Sequence, residues 1–276
     1  MFWDKMQKIN KYYIYALLVI ALVIPMFVPL GLPISITADT RKVYDLMEKI
    51  PPGSPILMSF DYTANAVAEM DPMATALLKQ AFKRGLKVVL FSQGDQGAVL
   101  AQKIGDDLAG KMKKNYGTDY VHLGYKPGGT VVLRRMVEDL WDAAANVDMN
   151  GKPLSSFPLM QNIKKITDVK AIVVISNGSP GFVEWLNYVT GPQKMPLFGG
   201  TVSVMVPGYM PYVQSGQFAG LLQGSRGTAE YELLIKEPGK AVSAQDSQSL
   251  SHLYLVTLLV LGNLGYFLRK KPADGR

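Results

Sequence analysis

Two stretches without a charged residue, Tyr12 to Leu32 and Leu253 to Leu268, bracket the middle of this 276-residue chain. A run of that kind must be covered by a bilayer or by a core that encloses it on every side. The first run, about 21 residues, would reach roughly 30 Å as a helix, enough to cross a hydrocarbon layer. The second has about 16 residues, or about 19 with Leu250, Ser251 and His252 counted, and is the shorter candidate. The expectation is a pair of transmembrane helices, 12–32 and 250–268, with tails 1–11 and 269–276 and one folded domain over 33–249.

Each run also has a second reading. Lys5, Lys8 and Lys11 precede the first as they would in a signal peptide. The stretch is long for such a segment, however, and Pro29-Leu-Gly-Leu-Pro33 offers no small-x-small cleavage site. Pro25 and Pro29 fit the exit of a membrane helix, where proline is tolerated. The second run could be a core helix, but Tyr266-Phe-Leu-Arg-Lys-Lys271 has the aromatic belt and basic stop of a membrane boundary.

A net charge of +7 would by itself suggest a nucleic-acid binder. Its distribution points elsewhere. Residues 1–11 carry three Lys and one Asp, and residues 269–276 carry four basic residues and one Asp, which leaves only +2 for everything between. The expected partner is therefore the lipid bilayer and not nucleic acid. With basic flanks outside both runs, the positive-inside rule predicts an inner-membrane protein with both termini cytoplasmic and the central domain extracytoplasmic. The chain has no cysteine, which suits either compartment.

At 48% hydrophobic the chain can bury a sizeable core. Strand-like runs alternate with helical ones along the middle. Strands are predicted at Pro55–Phe60, Lys87–Phe91, Tyr120–Gly124, Ala171–Ile175 and Met195–Met205. Helices are predicted at Asp39–Lys49, from Asp71-Pro72 to Gly85, at Ala98–Asn115, Thr130–Ala145 and Phe182–Val189, and over Tyr209–Ile235 in two pieces broken near Gly216. This alternation predicts an α/β, doubly wound, mostly parallel, Rossmann-like three-layer domain between the two membrane helices.

In such sheets ligands bind beyond the carboxyl ends of the strands. The polar residues there, Asp61, Tyr62, Ser92, Asp95, Lys126, Gly128, Gly129, Asn177 and Ser179, are the candidate ligand-binding set, although ordinary βα loops have a similar composition. Lys126-Pro-Gly-Gly129 ahead of a helix start could hold an anion, or could be a glycine turn beside a surface lysine. It lacks Walker spacing, and no G-x-G-x-x-G follows the first strand. Asn177-Gly-Ser-Pro-Gly181 has the outline of a nucleophile elbow, with Asn where glycine is usual and Pro180 unable to donate an oxyanion N–H. Of the two histidines, His122 falls inside a predicted strand and His252 at a predicted span, so no catalytic residue is assigned. With no cysteine and no paired histidines, no metal site is predicted, and no cofactor is identified.

The segment Pro211–Tyr231 is dense in small residues, among them Gly216, Ala219, Gly220, Gly224 and Gly227, which permit close packing. Together with Phe60-Asp-Tyr62 and Leu123-Gly-Tyr-Lys-Pro-Gly-Gly129 it resembles an uncharacterised family of membrane-anchored prokaryotic proteins. That resemblance implies an extracytoplasmic α/β domain and assigns no chemistry. Two function classes follow: a membrane-tethered ligand-binding or accessory subunit of a membrane complex, or a membrane-anchored hydrolase working from the strand-end loops. A homo-oligomer or complex partner is also expected, because Gly262 and Gly265 fall near one face of the second span and Asn263 would be costly facing lipid.

Overall fold

The computed structural model describes residues 9–28 and 30–267. Lys5, Lys8 and Arg269 to Lys271, on which the expected orientation rests, lie outside the described residues, as do Pro29 and Leu268. The chain divides into two compact units, Ile34–Ala241 and a unit of the terminal segments up to Pro33 and from Val242.

The central unit is built on β1 (Pro55–Asp61), β2 (Lys87–Ser92), β3 (Tyr120–Tyr125), β4 (Ile172–Ser176), β5 (Leu197–Thr201) and β6 (Gly220–Gln223). All pairings are parallel, and the order is β3-β2-β1-β4-β5-β6. The strands read as unbroken apolar runs because both faces of the sheet are covered; Ile172-Val-Val-Ile-Ser176 is buried throughout. One face packs on Met73, Leu77 and Phe82, the other on Leu133, Met160, Trp185 and Phe218. This is a Rossmann-like α/β fold. The chain winds outward from β1 to β3, returns to place β4 beside β1, and winds outward again, so the order reverses between β1 and β4.

Several elements differ from the sequence expectations. The stretch predicted as a broken helix over Tyr209–Ile235 is a helix (Val206–Gln214), the sixth strand and a second helix (Gly224–Leu234). A four-residue strand is too short for its period to show. It pairs with β5, and Gly220 lets the helix Ala38–Lys49 pack closely over it, since a Cβ there would come within 2.8 Å of the Val43 side chain. The helix predicted over Thr130–Ala145 is two, Thr130–Glu138 and Leu140–Ala143. Asp139 causes the break by leaving helical geometry and accepting the N–H of Trp141 (2.8 Å) and Asp142 (3.0 Å) as a cap. Asp71-Pro72 lies inside Val67–Lys83 and does not start it; Asp71 instead accepts the Tyr62 hydroxyl at 2.8 Å. The helix expected from Ala98 starts at Asp95, and the strand expected over Met195–Met205 is confined to Leu197–Thr201.

Among the described residues one helix, Lys240–Phe267, most of it in the terminal unit, is long and apolar enough to cross a membrane. It starts well before Leu250, because its first turns carry Ser243, Asp246 and Ser247, polar residues that masked their helical continuity with the apolar run. The first apolar run forms a 17-residue helix, Lys11–Phe27, rather than the predicted 12–32. Val28 is extended, as the residue before a proline tends to be. Among the described residues only one of the two expected spans reaches the length and composition of a membrane-crossing helix, and Lys11–Phe27 is a shorter apolar helix.

The segment after the first helix is fixed by Asp246, whose fully buried carboxylate accepts the N–H groups of Leu30 (2.8 Å), Gly31 (3.0 Å) and Leu32 (3.1 Å). The Tyr254 hydroxyl donates to the Ile14 carbonyl at 2.9 Å. The least exposed positions, Ile14, Leu18, Ala21 and Pro25 on one helix and Ser251, Tyr254, Leu258, Leu261 and Gly265 on the other, repeat at three and four residues like an antiparallel seam. Gly265 is buried whereas Gly262 is exposed with open space beside it, so the two glycines do not share one environment as the sequence suggested.

Candidate functional site

Loops leaving β1 and β4 diverge at the point of reversal and leave a crevice of about 140 Å³. Its walls are the end of β1 (Asp61, Tyr62), the turn from β2 into the helix Asp95–Met112 (Gln93 to Gly97) and the loop after β4 (Asn177 to Pro180). That helix stands unusually near β1. A Cβ on Gly97 would lie 2.0 Å from the Phe60 carbonyl oxygen, so only glycine permits the approach.

Asp61 sits at the floor, 8% exposed. One carboxylate oxygen accepts the Gln93 N–H at 2.8 Å; the other accepts the Ser59 hydroxyl at 2.5 Å and the Trp185 indole N–H at 3.3 Å. Burial pushes its pKa up to about 6 even though these hydrogen bonds pull it down. Tyr62 lends its ring to the wall while its hydroxyl is held by Asp71, and burial raises the phenol further. Asp95 opens the helix and accepts the Gln96 N–H at 2.8 Å. The Asn177 amide donates to Thr63 and Asn65, both at 3.2 Å.

Gln93 is the residue that sequence reading missed. It lines the crevice at 8% exposure, and both its amide oxygen and its amide nitrogen are buried without a hydrogen-bond partner. A buried unpaired amide costs on the order of 1–3 kcal/mol, so such groups are rare unless something else completes them. A neutral side chain between Ser92 and Gly94 gives no signal of this in the sequence. Trp185, which reaches Asp61 from 124 residues away, was equally invisible.

Of the nine candidate residues the crevice gathers Asp61, Tyr62, Asp95, Asn177 and Ser179. Ser92 is fully buried beneath it, bonded to the Phe60 carbonyl (2.6 Å) and accepting the Gly94 N–H (3.0 Å). Lys126 lines a different cleft with Asp148 and Tyr125, and Asp95 borders both. Burial there lowers the Lys126 pKa. Gly128 and Gly129 line neither; both have positive φ and shape the turn into the helix at Thr130.

No protein-family model, curated protein or solved structure matches this chain.

The site's chemistry therefore rests on its own geometry. Ser179 donates to Glu184 at 2.5 Å, and the second Glu184 oxygen takes the Gly181 N–H at 2.8 Å, so this pair fastens the start of the following helix. His122 accepts the Gly124 N–H on Nδ1 (2.7 Å), which leaves Nε2 to donate to the Ala98 carbonyl (3.0 Å). Burial pushes its pKa down to about 4, and it is a neutral structural residue outside the crevice. Among the described residues no group of three or more His, Asp or Glu is placed to hold a metal ion. A larger groove of about 290 Å³ lies off the strand ends, with charged residues such as Lys79 and Glu237 that pair across 3.1 Å.

Proposed function

We propose that this chain is a membrane-tethered binding domain that recognises a small polar ligand in the crevice between β1 and β4, as a ligand-binding or accessory subunit of a membrane complex. The observation that supports it most is the buried, unpaired Gln93 amide in a crevice at the point where strand order reverses. A hydrolase reading finds less support: the Ser179 hydroxyl is engaged by Glu184, no histidine lines the crevice, and Pro180 has no N–H to offer.

Gly178 provides a test that leaves every polar side chain intact. A Cβ there meets nothing within 4 Å, so Gly178→Leu would fill the crevice without forcing a backbone shift. Native mass spectrometry of the full chain released from its membranes should show a small-molecule adduct that the Gly178→Leu protein lacks. No adduct, or an identical one on both proteins, would refute the reading.

The proposal includes the tether: both apolar segments in the membrane, both termini cytoplasmic and the α/β domain extracytoplasmic. The apolar helix Lys240–Phe267 and the antiparallel seam support it. A reporter that is active only outside the cytoplasm should be silent when fused after Lys271. An active fusion there would reverse the topology.

A further inference from the structure

The crevice's hydrogen-bonding inventory narrows the ligand. A helix amino terminus ordinarily favours an anion, because its first N–H groups are unpaired and the helix dipole is positive there. Here much of that capacity is already used. The Gln93 N–H goes to Asp61, the Gly94 N–H to Ser92 and the Gln96 N–H to Asp95. The N–H groups of Asp95, Gly97 and Ser179 remain, and beside them stand acceptors and negative charge. Asp95 has its second carboxylate oxygen, and Asn177, whose Nδ2 is spent on Thr63 and Asn65, has its carbonyl oxygen. Gln93 adds one buried, unpaired acceptor and one donor. Two carboxylates, Asp61 and Asp95, line the crevice with no Lys, Arg or His among its lining residues, and Glu184 lies just behind Ser179.

We infer that the crevice takes a small polar molecule through a primary ammonium group, held by the Asp95 carboxylate and the Gln93 and Asn177 amides, and that it does not take an anion. The inference rests on the reading of the crevice as a binding site. An ammonium brings three donors and a positive charge to a place that offers acceptors and negative charge. Phosphate or a carboxylate would meet two like charges with no basic side chain in the lining to offset them. The volume of about 140 Å³ limits the occupant to a small molecule or to the amine end of a larger one.

The test uses the full chain in mild detergent at pH 7.5, with thermal unfolding followed against ethanolamine, glycerol and inorganic phosphate at matched ionic strength. Ethanolamine should raise Tm saturably, as mass action requires. Asp95→Asn, which keeps a carbonyl for the Gln96 N–H, should weaken its apparent Kd by roughly tenfold. Gly178→Leu should abolish the shift. Phosphate and glycerol should give no saturable shift. If phosphate stabilises the protein and Gly178→Leu removes the effect, or if glycerol matches ethanolamine, the ammonium assignment is overturned while the crevice remains a binding site. If no probe shifts the wild type, the ammonium assignment also fails; a native adduct still displaced by Gly178→Leu would preserve the binding reading, and its absence would end both.

Discussion

Replacing Gly97 by alanine is expected to destabilise the central domain by about 3 kcal/mol or more. The added Cβ would lie 2.0 Å from the Phe60 carbonyl oxygen and 2.6 Å from the Ser92 hydroxyl. A backbone atom in a buried strand cannot rotate away, so the helix Asp95–Met112 would have to lift from β1 and open the crevice. Gly110, in the same helix, is exposed with nothing within 4 Å of a Cβ. Gly110→Ala should stabilise by about 0.5–1 kcal/mol, since alanine loses less backbone freedom in a helix. Thermal and denaturant unfolding of the two variants side by side would measure the difference. Equal stabilities would mean that the close helix–strand approach is not a feature of the folded protein.

Acidification from pH 7.5 to about 4.5 is expected to act in opposite directions at two buried groups. His122 is held neutral by burial, with a folded pKa of about 4 against its ordinary value of 6.5. The unfolded chain therefore takes up the proton first, and stability present above pH 6.5 is lost as the pH falls towards 4. Asp61 has its pKa raised from 3.8 to about 6, so the folded state takes up the proton first. Its ionised form costs stability above pH 6, and that cost disappears as the pH falls towards 3.8. Each effect amounts to about 3 kcal/mol over its full window, so in the wild type they largely cancel.

Single variants separate them. Asp61→Asn should lose stability steeply below pH 6.5, whereas His122→Gln, which keeps one donor and one acceptor, should gain relative to it by several kcal/mol at pH 4.5. Glu230 and Glu237, whose pKa values are lowered by their hydrogen bonds, add acid lability to both variants equally. Unfolding free energies that follow the same pH curve in both variants would contradict this assignment.

The parallel sheet was legible because its strands are continuous apolar runs separated by helical spacing, as at Ile172–Ser176 and Met73 to Phe82. What escaped were features decided by tertiary contacts. The strand Gly220–Gln223 is fixed by its pairing with β5 under the helix that carries Val43, and glycine density in sequence reads equally well as helix packing. Asp139 caps a second helix that periodicity had fused to the first. At the site, strand-end position identified Asp61, Asn177 and Ser179, but not which loops converge. Lys126 sits at a strand end like the others, yet its strand lies at the sheet's edge and opens into another cleft. Gln93 could not be singled out, because being unpaired is a property of the surroundings and not of glutamine.

The β1/β4 crevice is expected to be occupied in the working protein. An experimental structure of the full chain, taken from native membranes without exchange of bound molecules, tests this most directly. Non-protein density is expected between Asp61 and Asn177, within hydrogen-bonding distance of the Gln93 amide. A crevice filled by the protein's own side chains, with the Gln93 amide paired to one of them, would contradict it.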